Sequence, residues 1–192
     1  MRRGTLILVV GPSGAGKDSI IAGAADRLAG DPQIAFARRI ITRPASAGGE
    51  KHIAVTPAEF AARRDRGGLM LHWHANGFDY GLPNELNDAL DDAISVVANV
   101  SRTVVAEARQ RLAPVAVISI TASTATLATR LAARGRENAA EIEQRLDRAV
   151  TVAWPGADYH IANDAALETA VDRFVALVQK IVGQGSAVPV SA

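Results

Sequence analysis

The sequence predicts an α/β protein in which a mostly parallel sheet is flanked by helices, and three observations lead to this fold class. Strand and helix patterns alternate along the 192 residues, as they do when parallel strands are joined by crossover helices. The run Thr5–Val10 is apolar and rich in β-branched residues, which is typical of a central strand covered on both faces. A glycine-rich turn and an alanine-rich helix, at about Lys17–Leu28, follow this strand directly.

The remaining elements continue this alternation. Further strands are predicted at Phe36–Ile41, Leu69–His74, Ile94–Val100, Val115–Ile120 and Tyr159–Ala162. Further helices are predicted from Pro57, after a capping box formed by Thr56 and Glu59, and at Asn84–Asp92, Thr103–Leu112, Thr124–Ala133, Ala139–Val152 and Ala165–Val182. Asn76-Gly77 is a strong turn signal, and the chain from Gly183 onward is predicted to be a disordered tail.

The composition excludes several classes of protein. Apolar residues make up 48% and charged residues 21% of the chain, an ordinary balance for a protein with a sizeable core. The net charge of +1 argues against general binding to nucleic acid or to a membrane surface, and no segment approaches the ~18 apolar residues of a membrane-spanning helix. The absence of cysteine excludes disulfides, zinc–cysteine sites and thiol catalysis, and it fits a cytoplasmic location.

The segment Gly11–Lys17 carries the motif with the clearest chemistry. It reads G-x-x-x-x-G-K, and it follows a predicted buried strand and opens a predicted helix, which is the context of a phosphate-binding loop rather than of a simple glycine-rich turn. Glycines let the backbone wrap around phosphates, while the loop N–H groups supply positive potential. Lys17 can follow the charge of a transferring γ-phosphoryl group. The residues predicted to bind ATP are Gly11, Pro12, Ser13, Gly14, Ala15, Gly16, Lys17 and Asp18.

Asp18 departs from this motif, which expects Ser or Thr after the lysine. An aspartate at a helix start interacts favourably with the helix dipole, so it can serve the helix alone. It can also hold Mg²⁺, directly or through water. Ser19 lies about 100° further round the helix and is not a simple substitute. We expect Asp18 on the magnesium side of the ATP site.

Several further segments resemble guanylate kinases, and the similarity extends along nearly the whole chain. Ile41-Thr42-Arg43 is similar to the Thr-Thr-Arg segment that helps to hold the acceptor phosphate, and His74–Pro83 is similar to the acceptor-site segment ending in Tyr-Gly-x-Pro. Arg130–Arg136 resembles the lid, and Asn163-Asp164 resembles the pair near the adenine end of the ATP site. The resemblance implies a P-loop kinase with a small acceptor-binding insert and a lid.

Two departures point away from a guanine nucleotide as acceptor. Guanylate kinases carry a second arginine where this chain has Pro44–Ala47, and they read guanine with acidic groups, where this chain has Asn99 near the expected place. A carboxylate accepts from both guanine N–H groups, whereas an amide accepts only through its oxygen. Guanine recognition is therefore not expected.

A narrower family matches these departures. Asp18, the Ser46 segment, Glu50–Ala54, Trp73–Gly77 and Arg134–Asn138 together resemble ribose 1,5-bisphosphate phosphokinases of bacterial phosphonate catabolism. Those enzymes convert ribose 1,5-bisphosphate and ATP to phosphoribosyl pyrophosphate and ADP, and an aspartate after the lysine is normal among them. The resemblance implies one kinase domain at 1–183, with an acceptor-binding region at about 36–83, a lid at about 134–141 and a tail at 184–192.

The resemblance also implies roles for individual residues. The expected catalytic residues are Lys17, Arg43 and Arg134, although a loop arginine can simply be solvated and lid arginines can pair with nearby glutamates. The expected acceptor-binding residues are Arg39, Arg43, His52, His74, Asn76, Tyr80 and Asn99, and Asn163 is expected in the ATP site. The expected cofactors are ATP and Mg²⁺, and the expected partner is a small phosphorylated sugar rather than a nucleic acid or a membrane.

Two other functions fit part of the sequence. A guanylate or other nucleoside-monophosphate kinase would share the fold, but Asn99 and the missing second arginine argue against it. A non-catalytic guanylate-kinase-like binding module is disfavoured by the intact Gly16-Lys17, because such modules typically lose the phosphate loop. The oligomeric state does not follow from the sequence.

Overall fold

The computed structural model describes residues 3–47, 50–134 and 154–186. Its strands are β1 (Leu6–Val10), β2 (Ile34–Phe36), β3 (Ile40–Ile41), β4 (Ile53–Ala54), β5 (Leu69–Ala75), β6 (Phe78–Pro83), β7 (Ser95–Asn99), β8 (Val115–Thr121) and β9 (Tyr159–Ala162). Its α-helices are α1 (Lys17–Arg27), α2 (Pro57–Asp65), α3 (Leu86–Asp91), α4 (Val105–Arg111), α5 (Thr124–Arg134) and α6 (Leu167–Ser186). Short 3-10 helices span Ala45–Ala47 and Arg102–Val104.

The larger sheet has five parallel strands in the order β2-β7-β1-β8-β9. The central strand β1 is buried along its whole length. Its side chains alternate between two cores: Leu6, Leu8 and Val10 belong to one, and Ile7 and Val9 to the other. The predicted fold class and the predicted strand covered on both faces are therefore confirmed, because a strand buried on both sides has no place for polar residues on either face.

The smaller sheet has four strands in the order β4-β3-β6-β5. Strands β5 and β6 form an antiparallel hairpin, and its turn has positive φ at both central residues, 51° at Asn76 and 77° at Gly77. A turn with two positive φ angles suits the right-handed twist of the paired strands and favours Asn-Gly. The sheet runs from Ile40 to Pro83 and lies within the region 36–83 that the resemblance gives to acceptor binding.

The prediction of a single strand at Phe36–Ile41 is wrong. The chain instead forms β2, which pairs with β7 in the larger sheet, and β3, which pairs with β4 and β6 in the smaller one. Ala37 still donates its N–H to the carbonyl of Val97, and the chain then crosses between the sheets at Arg38 and Arg39. An apolar run alone does not tell which sheet each end of it joins.

The start of α2 agrees with the sequence-based prediction, and the end of α6 does not. The capping box of α2 is present, with Glu59 N–H donating to Thr56 Oγ1 at 3.2 Å and Thr56 N–H donating to Glu59 at 2.7 Å. Helix α6 continues to Ser186, so the chain is helical beyond Gly183, where the tail was predicted to begin. Buried Ile181 and Val182 hold this last part of the helix against the core.

The predicted helix at Ala139–Val152 and the predicted lid at about 134–141 lie outside the described residues, apart from the backbone of Arg134 at the end of α5. In the part of the chain that the structure describes, no helix is both long and apolar enough to cross a membrane.

Candidate functional site

The loop between β1 and α1 can be built only with glycine at its two ends. Gly11 has a φ of 149°, and a Cβ atom there would lie 2.0 Å from the carbonyl oxygen of Ile120. Gly16 has a φ of 85°, and a Cβ atom there would lie 2.4 Å from Nδ2 of Asn163. Both positions therefore combine a left-handed backbone with close neighbours. The resulting loop turns its backbone tightly in front of the first turn of α1.

Lys17 begins α1 and lies across this loop. Its half-buried ammonium donates to the carbonyl oxygens of Gly11, at 2.8 Å, and Pro12, at 2.9 Å. Carbonyl oxygens are neutral acceptors, and a phosphate would offer the same ammonium a stronger, charge-assisted contact. The ammonium is thus held against the predicted phosphate-binding loop.

Asp18 joins the phosphate loop to the neighbouring strand and to the smaller sheet. Asn99, buried at the end of β7, donates its amide to Asp18 Oδ1 at 2.6 Å. Nη2 of Arg39 lies 3.7 Å from the same oxygen. The Asp18 side chain is 46% exposed. The structure therefore brings Asp18, predicted on the magnesium side of the ATP site, together with Arg39 and Asn99, both predicted to bind the acceptor.

Asn163 follows β9 and is only 2% exposed. Its Nδ2 donates to the carbonyl oxygen of Ala15 at 2.9 Å, and its buried Oδ1 has no hydrogen-bond partner. The Asn163 amide therefore contacts the backbone of the phosphate loop itself. Its direct contact with ATP stays a prediction, while its hold on the loop is a finding.

The smaller sheet contributes two arginines that share one carboxylate. Arg39 is buried and grips Glu50 with two nitrogens: Nε lies 2.8 Å from Oε2, and Nη2 contacts Oε1. Nη2 of Arg43 lies 4.0 Å from Oε1, and its buried Nε has no acceptor. Glu50 was not among the predicted site residues. Its position four residues after Ser46 in a motif rich in arginine is the signal that could have found it, because buried arginines need a carboxylate.

His52 holds the loop that carries these arginines. Its ring lies between two backbone carbonyl oxygens, with Nδ1 3.0 Å from Glu50 and Nε2 2.9 Å from Arg43. The residue is 8% exposed. Both ring nitrogens are therefore engaged with the backbone in this state, and contact with a sugar would require at least one of them to exchange partners.

The ring of Tyr80 packs against the guanidinium of Arg39. Its ring stacks on Trp73, with 5.5 Å between ring centres and 6° between planes, and the Cζ atom of Arg39 lies 5.2 Å from the centre of the Tyr80 ring. A guanidinium over an aromatic face is held by a cation–π attraction. Tyr80 is buried, so its contact with Arg39 fixes the position of an arginine that is predicted to bind the acceptor.

His74 and Asn76 lie at the tip of the β5–β6 hairpin. His74 Nδ1 is 2.8 Å from Oδ1 of Asp79; the His74 side chain is largely exposed and that of Asp79 is half-buried. Asn76 occupies the positive-φ turn position. Their observed contacts are within the hairpin, although Asp79 and Thr42 also bond to each other through backbone and hydroxyl groups, at 2.9 and 3.1 Å. The structure thus places these two residues further along the hairpin than Tyr80.

Arg130 is a residue that the sequence interpretation passed over in favour of Arg134. It lies on α5, one turn before Arg134, and its Nη1 atom is buried without an acceptor. The same atom lies 3.8 Å from the place of a Cβ on Gly16, so it reaches the phosphate loop. The side chain of Arg134 lies outside the described residues. The spacing of four residues between two arginines was the available signal.

Asp164 organises the start of α5, the helix that carries Arg130. Its Oδ1 accepts from the Ser123 N–H at 2.7 Å and from the Thr126 hydroxyl at 2.8 Å. These hydrogen bonds, first that from the Ser123 backbone, hold the pKa of Asp164 below its usual value. Within the described residues, no group of three carboxylate or histidine side chains could hold a metal ion.

The chain resembles curated proteins with one recurring activity in their names. It is 45% identical, over 93% of its length and 94% of the relative's, to the ribose 1,5-bisphosphate phosphokinase PhnN of Thiobacillus denitrificans. It is 48% identical to the PhnN of Laribacter hongkongensis over 90% of its length, but spans only 42% of that relative. It is 42% identical to a bifunctional ribose 1,5-bisphosphokinase-thymidine phosphorylase of Roseobacter denitrificans and spans 26% of it.

The solved structures give the fold independently. A guanylate kinase from Anaplasma phagocytophilum superposes with a TM-score of 0.71 at 19% identity, covering 93% of this chain and 86% of that one. At this identity the match supports the fold alone. No protein-family model matches the chain.

Proposed function

Since this chain belongs to the ribose 1,5-bisphosphate phosphokinase family, we propose that it transfers the γ-phosphoryl group of ATP to ribose 1,5-bisphosphate, forming 5-phosphoribosyl 1-diphosphate and ADP. The observation that carries the proposal is the 45% identity to the Thiobacillus enzyme along almost the whole of both chains. The phosphate loop and the arginines around Glu50 supply chemistry that suits this reaction. Its proposed setting is phosphonate catabolism in the cytoplasm.

The reaction needs positioning more than a protein nucleophile. An oxygen of the sugar's 1-phosphate bonds to the γ-phosphorus as the bond from that phosphorus to the β-phosphate oxygen breaks, and ADP leaves with the electron pair. The attacking phosphate oxygen is already ionised near neutral pH, so little general-base assistance is required. The protein therefore has to align two anions and offset their charge, as in other phosphoryl transfers.

On the donor side, we assign ATP to the loop Gly11–Asp18. When ATP binds, the Lys17 ammonium leaves the two carbonyl oxygens that it contacts here and binds the β- and γ-phosphates. Arg130 and Arg134 are to approach the same phosphates from α5, and the buried unpaired Nη1 of Arg130 supports this role. Asn163 is to act by holding Ala15 in the loop.

On the acceptor side, we assign the reacting 1-phosphate to Arg43, whose buried Nε has no acceptor. Arg39 orients the site through Glu50 and Tyr80, and Asn99 lies against Asp18. His52 shapes the loop that carries Arg43. We keep His74, Asn76 and Tyr80 as proposed contacts to the sugar. Of the three, Tyr80 has the most support, because its ring lies against Arg39.

Asp18 suits Mg²⁺ in one respect. Mg²⁺ usually keeps several waters and takes one or two carboxylates together with substrate phosphates, and Asp18 is a half-exposed carboxylate beside the phosphate loop. Both of its observed contacts are made to Oδ1, and neither uses Oδ2. Because Mg²⁺ usually keeps several of its waters, we propose that Asp18 holds Mg²⁺ through water. A bound Mg²⁺ would neutralise charge on the ATP phosphates.

The test is a panel of acceptors with ATP: ribose 1,5-bisphosphate, GMP, AMP and ribose 5-phosphate, with products identified by phosphorus NMR. We expect 5-phosphoribosyl 1-diphosphate from the first. Lys17→Ala should lose the activity, while Lys180→Ala, a change of the same kind on the exposed face of α6, should keep it. Turnover of GMP without turnover of the sugar bisphosphate would refute the proposed substrate, and full activity in Lys17→Ala would refute the role of the loop.

A further inference from the structure

Arg102 lies where the two sheets meet, just beyond the end of β7. The strand ends at Asn99, whose amide bonds to Asp18, and the N–H of Val100 donates to the carbonyl of Val9 at 3.0 Å, immediately before the phosphate loop. The 3-10 helix that begins at Arg102 then packs against β5 of the smaller sheet. This is the carboxyl-end edge of a parallel sheet, where ligands of α/β proteins bind.

The guanidinium of Arg102 carries a charge that nothing in the described chain balances. Its Nε and Nη2 atoms are both buried and have no hydrogen-bond partner. Burial lowers the pKa of Arg102, and among the described residues no carboxylate raises it again. The side chain is half-buried, and shielding one edge of an unpaired guanidinium is costly, so this position is better explained by an anion that arrives with a ligand than by a role in folding.

Nε and Nη2 are also the pair of nitrogens that form one edge of a guanidinium. Such an edge matches two oxygens of a carboxylate or phosphate in a bidentate contact. Arg39 shows the same edge in use in this protein: its Nε and Nη2 take the two oxygens of Glu50. In Arg102 the corresponding edge is present and unfilled.

Three arginines in the described residues have buried nitrogens without an acceptor, and they lie in three different places. Arg130 reaches the phosphate loop near Gly16, and Arg43 lies beside Glu50. Arg102 stands at the junction of the sheets. The proposed reaction brings phosphate to three separate positions: the triphosphate of ATP, the reacting 1-phosphate and the remote 5-phosphate. A nucleoside monophosphate would bring no third group.

We propose that Arg102 binds the 5-phosphate of the acceptor sugar and thereby selects a sugar bisphosphate over a monophosphorylated acceptor. This inference rests on the proposed function. The binding edge is shielded from solvent in the ligand-free chain, so binding of the acceptor has to move the surrounding side chains to expose it. Asn99, three residues earlier, then faces the same acceptor from beside Asp18.

The test compares two acceptors that differ only in the 5-phosphate: ribose 1,5-bisphosphate and ribose 1-phosphate. In Arg102→Met we expect kcat/KM to fall by roughly 30-fold or more with the bisphosphate, mainly through KM, and to stay unchanged with ribose 1-phosphate. Arg102→Lys should recover only part of the loss, because an ammonium lacks the bidentate edge. Arg111→Met, which removes an exposed arginine on α4, is the matched control and should behave as wild type.

A second measurement does not depend on turnover of ribose 1-phosphate. Ribose 5-phosphate should raise the thermal midpoint of the wild type and leave that of Arg102→Met unchanged, and without ligand Arg102→Met should be at least as stable as wild type. A lower midpoint of the free variant together with equal losses on both acceptors would show a structural role and overturn the proposal. Wild-type synthesis of 5-phosphoribosyl 1-diphosphate with unaltered selectivity in Arg102→Met would overturn it while leaving the proposed function intact. Failure of the wild type on the bisphosphate would instead remove the proposed function itself.

Discussion

The amide of Asn99 donates a 2.6 Å hydrogen bond to Oδ1 of Asp18, and so it joins the end of β7 to the first turn of α1. Asp18 is the residue at which the sequence departs from the general phosphate-loop motif, and Asn99 is one of its two departures from guanylate kinases. Their contact makes the two departures one feature. With a carboxylate at position 99, Asp18 would face a like charge, whereas the amide offers it a donor.

Asn99→Asp should therefore lower activity, although it only replaces the side-chain NH₂ group with an oxygen. Two carboxylates at hydrogen-bond distance repel each other at neutral pH, so we expect kcat/KM for the sugar bisphosphate to fall by about 10-fold or more. Steady-state kinetics at pH 8 measure the effect. Asn87→Asp is a suitable control: Asn87 Oδ1 accepts from Arg3 at 2.7 Å, so a carboxylate gains a charged partner there, and the bond that Nδ2 donates to Asn84 is an exposed one. Equal activity of both variants would contradict the importance of the Asn99–Asp18 contact.

Gly16→Ala tests the construction of the phosphate loop. Gly16 and Gly30 have nearly the same φ, 85° and 91°, but a Cβ on Gly16 meets Asn163 at 2.4 Å while a Cβ on Gly30 meets nothing within 4 Å. Gly30→Ala should cost about 1 kcal/mol of unfolding free energy and keep full activity. Gly16→Ala should in addition displace Asn163 or the loop and lose ATP binding.

Denaturant unfolding and calorimetric titration with ATP separate these two effects. If Gly16→Ala binds ATP as Gly30→Ala does, the close approach of Asn163 to the loop has no functional consequence.

The parts of the site that sequence reasoning reached are those encoded by local patterns. The strand, loop and helix around Gly11–Lys17 follow from neighbouring residues: a buried strand, glycines where φ is positive, and a helix start. The capping box of Thr56 and Glu59 and the turn at Asn76-Gly77 are local in the same sense. Such features depend on a few adjacent residues and are readable without the fold.

The parts that it missed depend on contacts between distant segments. Asn163 supports Ala15 across 148 positions, and Asn99 meets Asp18 across 81. The division of Phe36–Ile41 between two sheets likewise depends on which strands lie beside each end. Arg102 belongs to no motif, because what distinguishes it is that two of its buried nitrogens have no acceptor among the described residues. Family resemblance supplied the predicted roles of Arg43 and Arg134, which the spacing of residues alone would not have singled out.

Glu50→Gln tests whether Glu50 is the partner that keeps Arg39 in place. Arg39 and Glu50 have side-chain exposures of 10% and 17%, so removal of the carboxylate leaves a largely buried guanidinium with only the longer contact to Asp18 Oδ1, at 3.7 Å. We expect a loss of about 3 kcal/mol in unfolding free energy and a higher KM for the acceptor. Glu107→Gln removes one partner of the exposed pair with Arg111 and should cost no more than about 0.5 kcal/mol.

Urea titration of both variants at the same ionic strength gives the comparison. Similar losses in the two variants would mean that Arg39 finds other partners when Glu50 is gone.

Acidification should reveal the hydrogen bonds that Asp164 accepts from Ser123 and Thr126. Because its pKa is lowered in the folded protein, the Asp164 carboxylate contributes stability that is fully present above the unfolded value of about 3.9 and is lost as pH falls through the folded-state pKa. Asp164→Asn keeps an acceptor oxygen but no charge, so its thermal midpoint should lie below that of the wild type at pH 7, by about 1–2 °C at most because exposed charges are screened, and the gap should close towards pH 3. Asp65→Asn, which removes an exposed carboxylate beside Arg64, controls for the loss of a surface charge. A gap between wild type and Asp164→Asn that widens on acidification would contradict the lowered pKa, because protonation would then have to weaken the variant more than the protein that carries the carboxylate.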